Sequence, residues 1–160
     1  MMILTELHWR IDLNINMEGV EIHPVKRFDD ERGAVLKYAS EESPFFEGIS
    51  EVYFSTLFEN VVKGWRKHLK TTQHFCVPVG KVKLVIYDDR EESDTYRKST
   101  EVLIGGKEDY HVVVIPPRCF YSFKGLESGP NLVANYIDYV YNHEETVSLD
   151  LVNDQIDYKW

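Results

Sequence analysis

Four side chains able to bind a ligand or move a proton fall into two short segments of the sequence. Arg66 and His68 stand two residues apart in Lys63–His68, Gln73 opens the next apolar stretch, and Tyr121 follows a Pro-Pro pair and a short turn. An imidazole with an unperturbed pKa of ~6.5 suits a general base near neutral pH, and a fixed cation can hold a developing oxyanion. If the protein is an enzyme, the pattern indicates proton transfer with His68 as base, Arg66 as the cation and Tyr121 as an acid. The alternatives are a surface or core histidine at position 68 and simple packing of Tyr121 against Phe120 and Phe123.

The register of the strand decides which of these side chains meet. Residues two apart share one face of a strand, so Arg66 and His68 point the same way and Gln73 can join them from the next strand. The alternative register turns Lys67 and His74 inward instead. Burying a lysine is costly, so we favour the first register, which turns Trp65 outward or into an interface.

The same positions argue against a metal centre. Protein metal sites use three or four ligands from His, Glu, Asp or Cys, whereas here Arg66, Gln73 and Tyr121 surround a single histidine, His68. A permanent guanidinium charge also opposes a bound cation. We therefore expect no metal and no other cofactor.

Alternation of apolar and polar residues dominates the chain, and helical periodicity is nearly absent. Turns rich in Gly, Pro, Asp and Ser separate many short strands, which is typical of a sandwich or barrel. The predicted strands are Ile3–Ile15, Val20–Phe28, Gly33–Tyr38, Ile49–Phe58, Val61–His68, Gln73–Val79, Lys81–Asp88, Lys98–Ile104, His111–Ile115, Tyr121–Leu126 and Asn131–Tyr141.

Length and composition limit the classes of function. The chain has 160 residues, enough for one domain with a real core, and we assign residues 1–160 to a single domain. Its net charge of −9 argues against binding nucleic acid or an anionic membrane through bulk electrostatics. Two cysteines without a disulfide framework, and no long apolar run, favour a reduced cytoplasmic protein.

The two ends of the chain are expected to differ from the rest. Met1–Ile15 alternates apolar residues and would leave a long unprotected edge, so we expect it to add a strand to a partner's sheet in a homodimer. Residues 144–160 read as an irregular polar tail with one short helix or an edge segment. Within it, Glu144 and Glu145 are expected to lie in a solvated loop.

Several segments spread along the chain match one known pattern in the same order. They are Asp30-x-Arg32-Gly33, Val61–Trp65, Val77–Arg90, Ile115–Pro117, Asn135-Tyr136, Tyr139 and Asn153–Trp160. Together they resemble the cupin family of dTDP-4-dehydrorhamnose 3,5-epimerases and their shorter relatives in polysaccharide biosynthesis, and the Gly-Trp-x-x-His block is also similar to the 3,4-ketoisomerase branch. The resemblance implies a jelly-roll β-barrel, a homodimer that exchanges N-terminal strands, no metal, and a nucleotide-linked 4-keto sugar as substrate.

Binding residues follow from this resemblance position by position. Lys63 and Arg32 match the family's phosphate-binding cations. The lysine that assists the enolate in the epimerases aligns with Gln73, and Asn135 belongs to a matching segment. We assign these four residues to substrate binding.

The catalytic positions depart from the family pattern. The family's catalytic histidine matches Arg66, and only the second histidine of the ketoisomerase pair is kept, as His68. The catalytic tyrosine falls near Ala134, with Tyr136 two residues on, so Tyr136 is a second candidate acid beside Tyr121. The aspartate that orients the family's catalytic histidine is expected beyond the end of this chain.

Two functions remain open from the sequence. One is a nucleotide-sugar epimerase or isomerase that acts on a 4-keto-6-deoxy hexose by proton abstraction next to the keto group, in cell-surface polysaccharide biosynthesis. The other is a catalytically inactive cupin that binds a sugar nucleotide or serves as a structural or partner subunit. Arg66 at the catalytic histidine position favours the second, while Arg32, Lys63 and the polar barrel mouth favour the first, which we prefer.

Overall fold

The computed structural model of the chain describes residues 15–160, which form twelve β-strands and one short 3-10 helix. No helix in this range is long and apolar enough to cross a membrane. The strands are β1 (Glu21–Pro24), β2 (Arg27–Asp30), β3 (Gly33–Leu36), β4 (Glu51–Leu57), β5 (Val62–His68), β6 (Gln73–Val79), β7 (Lys81–Asp88), β8 (Ser99–Gly105), β9 (His111–Ile115), β10 (Cys119–Gly125), β11 (Asn131–Ile137) and β12 (Thr146–Ser148), with the 3-10 helix at His143–Glu145.

Two five-stranded sheets face each other across the interior. The first sheet has the strand order β1-β9-β6-β11-β4, and the second has the order β12-β5-β10-β7-β8. Strands β2 and β3 form a separate hairpin. The strand pairs within all three sheets are antiparallel, so the all-β prediction is confirmed.

Several strand boundaries differ from the sequence-based expectation. The expected strand Val20–Phe28 is divided, because β1 ends at Pro24 and β2 begins at Arg27. Proline has no N–H to donate to a ladder, which explains the break. The expected strand Ile3–Ile15 lies outside the described residues except for Ile15, which packs against the core.

Strict alternation along the central strands builds the core. On β7, Val82, Leu84 and Ile86 are each 0% exposed and face the opposite sheet. The intervening Val85 and Tyr87 face the outside of the second sheet. Strand β7 is therefore buried on both faces, with one apolar cluster between the sheets and another on the outer side of the second sheet.

The outer layer comes from the end of the chain. Trp65 on β5 faces away from the interior, as the favoured register requires, yet it is only 1% exposed. Ile156, Tyr158 and Trp160 cover it, together with residues of β7 and β10. The tail predicted as irregular therefore packs on the back of the strand that carries Arg66 and His68.

Candidate active site

A cavity of about 410 Å³ opens between the two sheets. Its volume falls in the range of small-molecule sites, which is roughly 300–1,000 Å³. The first sheet supplies one wall and the second sheet the other. The lining residues are Tyr53, Ser55, Phe75, Val133 and Asn135 from the first sheet, and Lys63, Gly64, Arg66, Tyr121 and Phe123 from the second.

An irregularity in β5 brings two cations into this cavity. Tyr121 of β10 stands opposite Arg66 of β5, and Phe123 stands opposite Lys63. Between these pairs, Gly64 and Trp65 of β5 lie opposite the single residue Ser122 of β10. Such a β-bulge shifts the alternation by one residue. Lys63 and Arg66 are three residues apart, yet both face the cavity beside Tyr121.

Tyr121, His68 and Glu145 form a continuous hydrogen-bonded series that begins at the cavity wall. The Tyr121 hydroxyl lies 3.1 Å from Nε2 of His68, and Nδ1 of His68 lies 2.8 Å from Oε1 of Glu145. The three side chains are 7%, 3% and 4% exposed. Tyr121 lines the cavity, whereas His68 stands behind it.

The C-terminal segment positions the carboxylate of Glu145 beside His68. β12 pairs with β5 so that Thr146 is opposite His68, and the preceding residue, Glu145, turns inward. The Thr71 hydroxyl and the backbone N–H of Lys70 also donate to this carboxylate, at 2.8 Å and 3.0 Å. The expectation that Glu144 and Glu145 lie in a solvated loop is therefore wrong for Glu145, because strand pairing buries it.

Hydrogen-bonding roles fix the protonation pattern of the series. Burial acts to raise the pKa of Glu145, but the hydrogen bonds from His68, Lys70 and Thr71 outweigh it and the pKa is lowered. An ionised carboxylate only accepts, so Nδ1 of His68 donates to it. Nε2 of the neutral ring then accepts the hydrogen bond donated by the hydroxyl of Tyr121.

Two further pKa shifts keep His68 and Tyr121 neutral at rest. Burial lowers the pKa of His68; Glu145 acts in the opposite direction, while the positive charge of Arg66 adds to the lowering. Burial raises the pKa of Tyr121, and the nearby phenol of Tyr53 raises it further. A neutral imidazole that already accepts from a phenol is ready to take its proton.

The opposite wall carries a second polar group. Oδ1 of Asn135 accepts from the backbone N–H of His74 at 2.9 Å. Its Nδ2 donates to the Tyr53 hydroxyl at 2.9 Å and to Oε1 of Gln73 at 2.8 Å. Tyr53 and Asn135 line the cavity, and the buried Gln73 supports both from behind.

Two residues predicted for the site are not brought to the cavity. Tyr136 lies on the other face of β11, where it stacks on His74 with ring centroids 4.0 Å apart. Arg32 lies in the turn of the β2–β3 hairpin, where it is 82% exposed and pairs with Asp30. The other six predicted residues line the cavity or stand directly behind its walls.

The donor set does not resemble a metal centre. Within residues 15–160, no group of three or more His, Cys, Asp or Glu side chains is arranged to hold a metal ion. The carboxylate of Glu145 lies beside His68, and the positive charge of Arg66 lies nearby.

Sequence reasoning missed two residues of the site. Glu145 sits in a polar tail whose sequence gives no sign of burial. Tyr53 alternates with exposed neighbours on β4, so its pattern is that of any half-buried strand residue. Both depend on pairing with distant strands, which no local motif reports.

The fold and the cavity with its polar side chains define a cupin-type jelly-roll barrel with a candidate small-molecule site between its sheets. The family model described as dTDP-4-dehydrorhamnose 3,5-epimerase matches residues 14–160. The chain belongs to this family. The sequence-based resemblance and the predicted jelly-roll fold are thereby confirmed.

Individual relatives agree with this placement. The chain is 30% identical over 132 residues to a Haloferax volcanii protein named probable low-salt glycan biosynthesis epimerase Agl13, covering 81% of this chain and 84% of the relative. The structure of a dTDP sugar isomerase from Desulfovibrio desulfuricans superimposes with a TM-score of 0.87 at 33% identity, covering 90% of this chain and 92% of that one. The Bacillus subtilis spore coat polysaccharide biosynthesis protein SpsL is 22% identical over 129 residues, covering 81% of this chain and 85% of the relative.

Proposed function

We propose that the protein is a nucleotide-sugar epimerase or isomerase that acts on a 4-keto-6-deoxy hexose in cell-surface polysaccharide biosynthesis. Support comes from its family and from relatives named for glycan biosynthesis and dTDP-sugar isomerisation. The observation that carries the proposal is the Tyr121–His68–Glu145 series, which opens onto a polar cavity beside Arg66.

The series gives the chain a proton acceptor at the cavity wall. A carbon next to the keto group loses its proton to the Tyr121 oxygen while the phenolic proton passes to Nε2 of His68. Glu145 then stabilises the imidazolium through the bond at Nδ1. His68 thus acts as the final base, although Tyr121 makes the contact with the sugar.

Arg66 and Lys63 are assigned to different negative groups of the bound substrate. Arg66 stands opposite Tyr121, so its guanidinium is placed to hold the enolate oxygen that forms as the proton leaves. Lys63 lies further along the same wall, where its ammonium donates to Ser55 at 2.8 Å. We assign Lys63 to the diphosphate, because its side chain is exposed and lines the cavity, where it can contact a bound anion.

In this scheme the base lies at a different position of β5 from the catalytic histidine of the family. Arg66 holds the position that matches the family's catalytic histidine, and the imidazole stands two residues later at His68. The carboxylate that orients it comes from Glu145 in the tail. The assignments of Tyr121, His68, Arg66, Gln73 and Asn135 are proposals supported by position and hydrogen bonding.

We further propose a cytoplasmic homodimer. β4 is an edge strand of the first sheet, and its outward residues Val52 and Phe54 are 48% and 64% exposed. Exposed apolar residues on a strand edge favour pairing with another chain. The segment Met1–Ile15 is the proposed partner strand. In a dimer, Arg32 in the turn of the β2–β3 hairpin remains a candidate for phosphate binding.

Isotope exchange tests the proposed activity. The protein is incubated in D₂O with dTDP-linked and UDP-linked 4-keto-6-deoxyglucose, and deuterium at the carbons beside the keto group is followed by NMR. Exchange that is lost in His68→Asn and kept in His74→Asn is the expected result, because His74 lies on the outer face of the first sheet. Binding of both nucleotide sugars without exchange in the wild type would establish the non-catalytic alternative.

A further inference from the structure

Tyr53 faces the cavity from the wall opposite Tyr121. It lies on β4 of the first sheet, where it pairs with Asn135 of β11, whereas Tyr121 lies on β10 of the second sheet. Both phenols line the same cavity. A sugar ring bound between the sheets therefore meets one phenol on each of its faces.

The hydrogen bonds around Tyr53 leave its proton available to a ligand. Because Asn135 accepts from the backbone N–H of His74, the orientation of its amide is fixed, and Nδ2 must point at the Tyr53 oxygen. The phenol oxygen is thus an acceptor on that side. Among residues 15–160, the acceptor for its own hydrogen is Oε1 of Gln73, at a long 3.3 Å.

The same surroundings suit the phenolate that remains after proton donation. Nδ2 of Asn135 is already in place at 2.9 Å to stabilise a negative oxygen. Burial raises the pKa of Tyr53, which keeps the phenol protonated at rest, while Asn135 and the charge of Arg66 act to lower it. Tyr53 is therefore protonated before the reaction, and its anion has a ready donor and a nearby cation.

We propose that Tyr53 is the second proton-transfer residue of the site and returns a proton to the enolate on the face opposite to Tyr121. This inference rests on the proposed function and specifies it as epimerisation with inversion. The C–H bond breaks toward Tyr121, whose proton goes to His68, and the electron pair moves onto the keto oxygen beside Arg66. The pair then returns to carbon and takes the proton of Tyr53, which becomes a phenolate. Exchange with water through the open cavity reprotonates Tyr53 and deprotonates His68.

The substitution Tyr53→Phe separates the two half-reactions. With dTDP-linked or UDP-linked 4-keto-6-deoxyglucose in D₂O, the wild type forms deuterated epimer. In Tyr53→Phe, epimer formation falls by about 10²–10⁴, the usual effect of losing an acid. Deuterium then enters recovered substrate with its configuration retained, because Tyr121 and His68 still remove the proton and return it on the same face. Tyr121→Phe loses both epimer and exchange.

Matched variants keep the result interpretable. Tyr96→Phe, on a loop away from the cavity, leaves epimer formation at the wild-type rate. Asn135→Ala removes the donor to the phenolate and lowers epimer formation by about 10- to 100-fold, as expected for one charged hydrogen bond, while exchange persists. Thermal melting and dTDP affinity report folding of each variant.

The outcomes distinguish this inference from the activity on which it rests. Epimer formed by Tyr53→Phe at the wild-type rate, or exchange and epimer lost in parallel in both Tyr53→Phe and Asn135→Ala, would overturn the role of Tyr53 while leaving the enzyme an epimerase or isomerase. A wild type that binds dTDP yet neither exchanges nor forms epimer would overturn the proposed function and the inference together.

Discussion

The phenol oxygen of Tyr121 lies 3.1 Å from Nε2 of His68, with Tyr121 at the cavity wall and His68 behind it. A substrate in the cavity would therefore meet the phenol first, and the imidazole, whose pKa is lowered by burial, would be reached through it. In the proposed mechanism, contact with the sugar and storage of the proton are therefore separate roles. Variants of the residue behind the imidazole can then change the proton transfer without touching the sugar.

Glu145→Gln tests that separation. The turnover number should fall by about 10- to 100-fold, because a buried imidazolium loses a charged hydrogen bond worth roughly 1.5–3 kcal/mol. The carboxylate acts to raise the pKa of His68. Its removal lowers that pKa further, so the acidic limb of the pH–rate profile should move to lower pH. KM should change little.

A pH–rate profile of both variants provides the measurement. Glu144→Gln is the matched control, since this neighbouring carboxylate is exposed and does not contact His68. A profile of Glu145→Gln that differs from the wild type only by a uniform scale factor, with no shift of the acidic limb, would speak against a role through His68.

Substitution of the two cations that line the cavity, Lys63 and Arg66, should affect different steps of the reaction. Lys63→Gln is expected to weaken dTDP binding by about 10- to 100-fold, as for one lost charged hydrogen bond, with little change in the turnover number. Arg66→Gln should leave dTDP binding nearly intact and lower the turnover number by about 10²–10³, as for a lost oxyanion donor. Calorimetry with dTDP and steady-state kinetics measure the two effects.

Lys98→Gln, an exposed lysine on a distant loop, should change neither quantity. If Lys63→Gln and Arg66→Gln lower dTDP affinity equally and spare turnover, both residues serve binding and the oxyanion assignment fails.

Much of the fold could be predicted because its strands follow from the local alternation of apolar and polar residues. The bounds of β6, β7 and β9 agree with the sequence to the residue, and each is bordered by a turn or a Pro-Pro pair. The favoured register also places Arg66 and His68 on the interior side, since burying Lys67 there would be costly. In agreement with this register, Lys67 lies outside the cavity and forms an ion pair with Asp89.

The rest of the site depends on contacts between distant parts of the chain. Glu145 reaches His68 across 77 residues of sequence, and Tyr53 meets Asn135 across 82. A carboxylate in a polar tail and a tyrosine on an alternating strand have no local signature of function. The bulge that turns Lys63 and Arg66 to one side is likewise a property of pairing with β10, which a period of two residues does not reveal.

Acid should destabilise the protein through its buried histidines. His111 on β9 is 2% exposed, and burial lowers its pKa to about 4, although Asp109 and the backbone of Leu103 oppose the shift. The unfolded chain binds the proton first, near pH 6.5, so the free energy of unfolding falls as the pH drops below that value. Between pH 7 and pH 5 this histidine alone should remove about 2 kcal/mol.

His111→Leu isolates this contribution. Urea unfolding of wild type and variant at pH 7 and pH 5 should show a loss of stability that is smaller in the variant by about 2 kcal/mol. Parallel losses in the two proteins would mean that His111 is protonated as readily in the folded state as in the unfolded chain.

The proposed dimer can be tested by changing the N-terminal segment or the edge strand β4, which are proposed to pair across the interface. Light scattering of the full chain should give twice the chain mass of 18.8 kDa. Deletion of Met1–Trp9, or Phe54→Lys on β4, should shift the mass toward that of one chain, because the first removes a proposed strand and the second charges the exposed edge. Val152→Lys, on an exposed position of the tail, is the control for added charge. A monomeric full chain, or a dimer that survives both changes, would refute this interface.

The outer layer behind β5 should contribute to the stability of the fold. Ile156 is 2% exposed and packs with Trp65, on the face of β5 that points away from Arg66 and His68. Truncation to alanine removes buried methyl groups and leaves a cavity, so Ile156→Ala should lower the free energy of unfolding by about 2–5 kcal/mol. Val152→Ala, at a position that is 91% exposed, should cost less than about 0.5 kcal/mol.

Activity should respond differently from stability in this variant. Because Ile156 packs on the outer face of the second sheet, away from the cavity, turnover well below the melting temperature should stay close to that of the wild type. Urea unfolding and steady-state rates on the same preparations measure both. If Ile156→Ala were as stable as Val152→Ala, the tail would not be the cover of Trp65. If it stayed folded but lost turnover, the outer layer would be needed to hold Arg66 and His68 in place from behind.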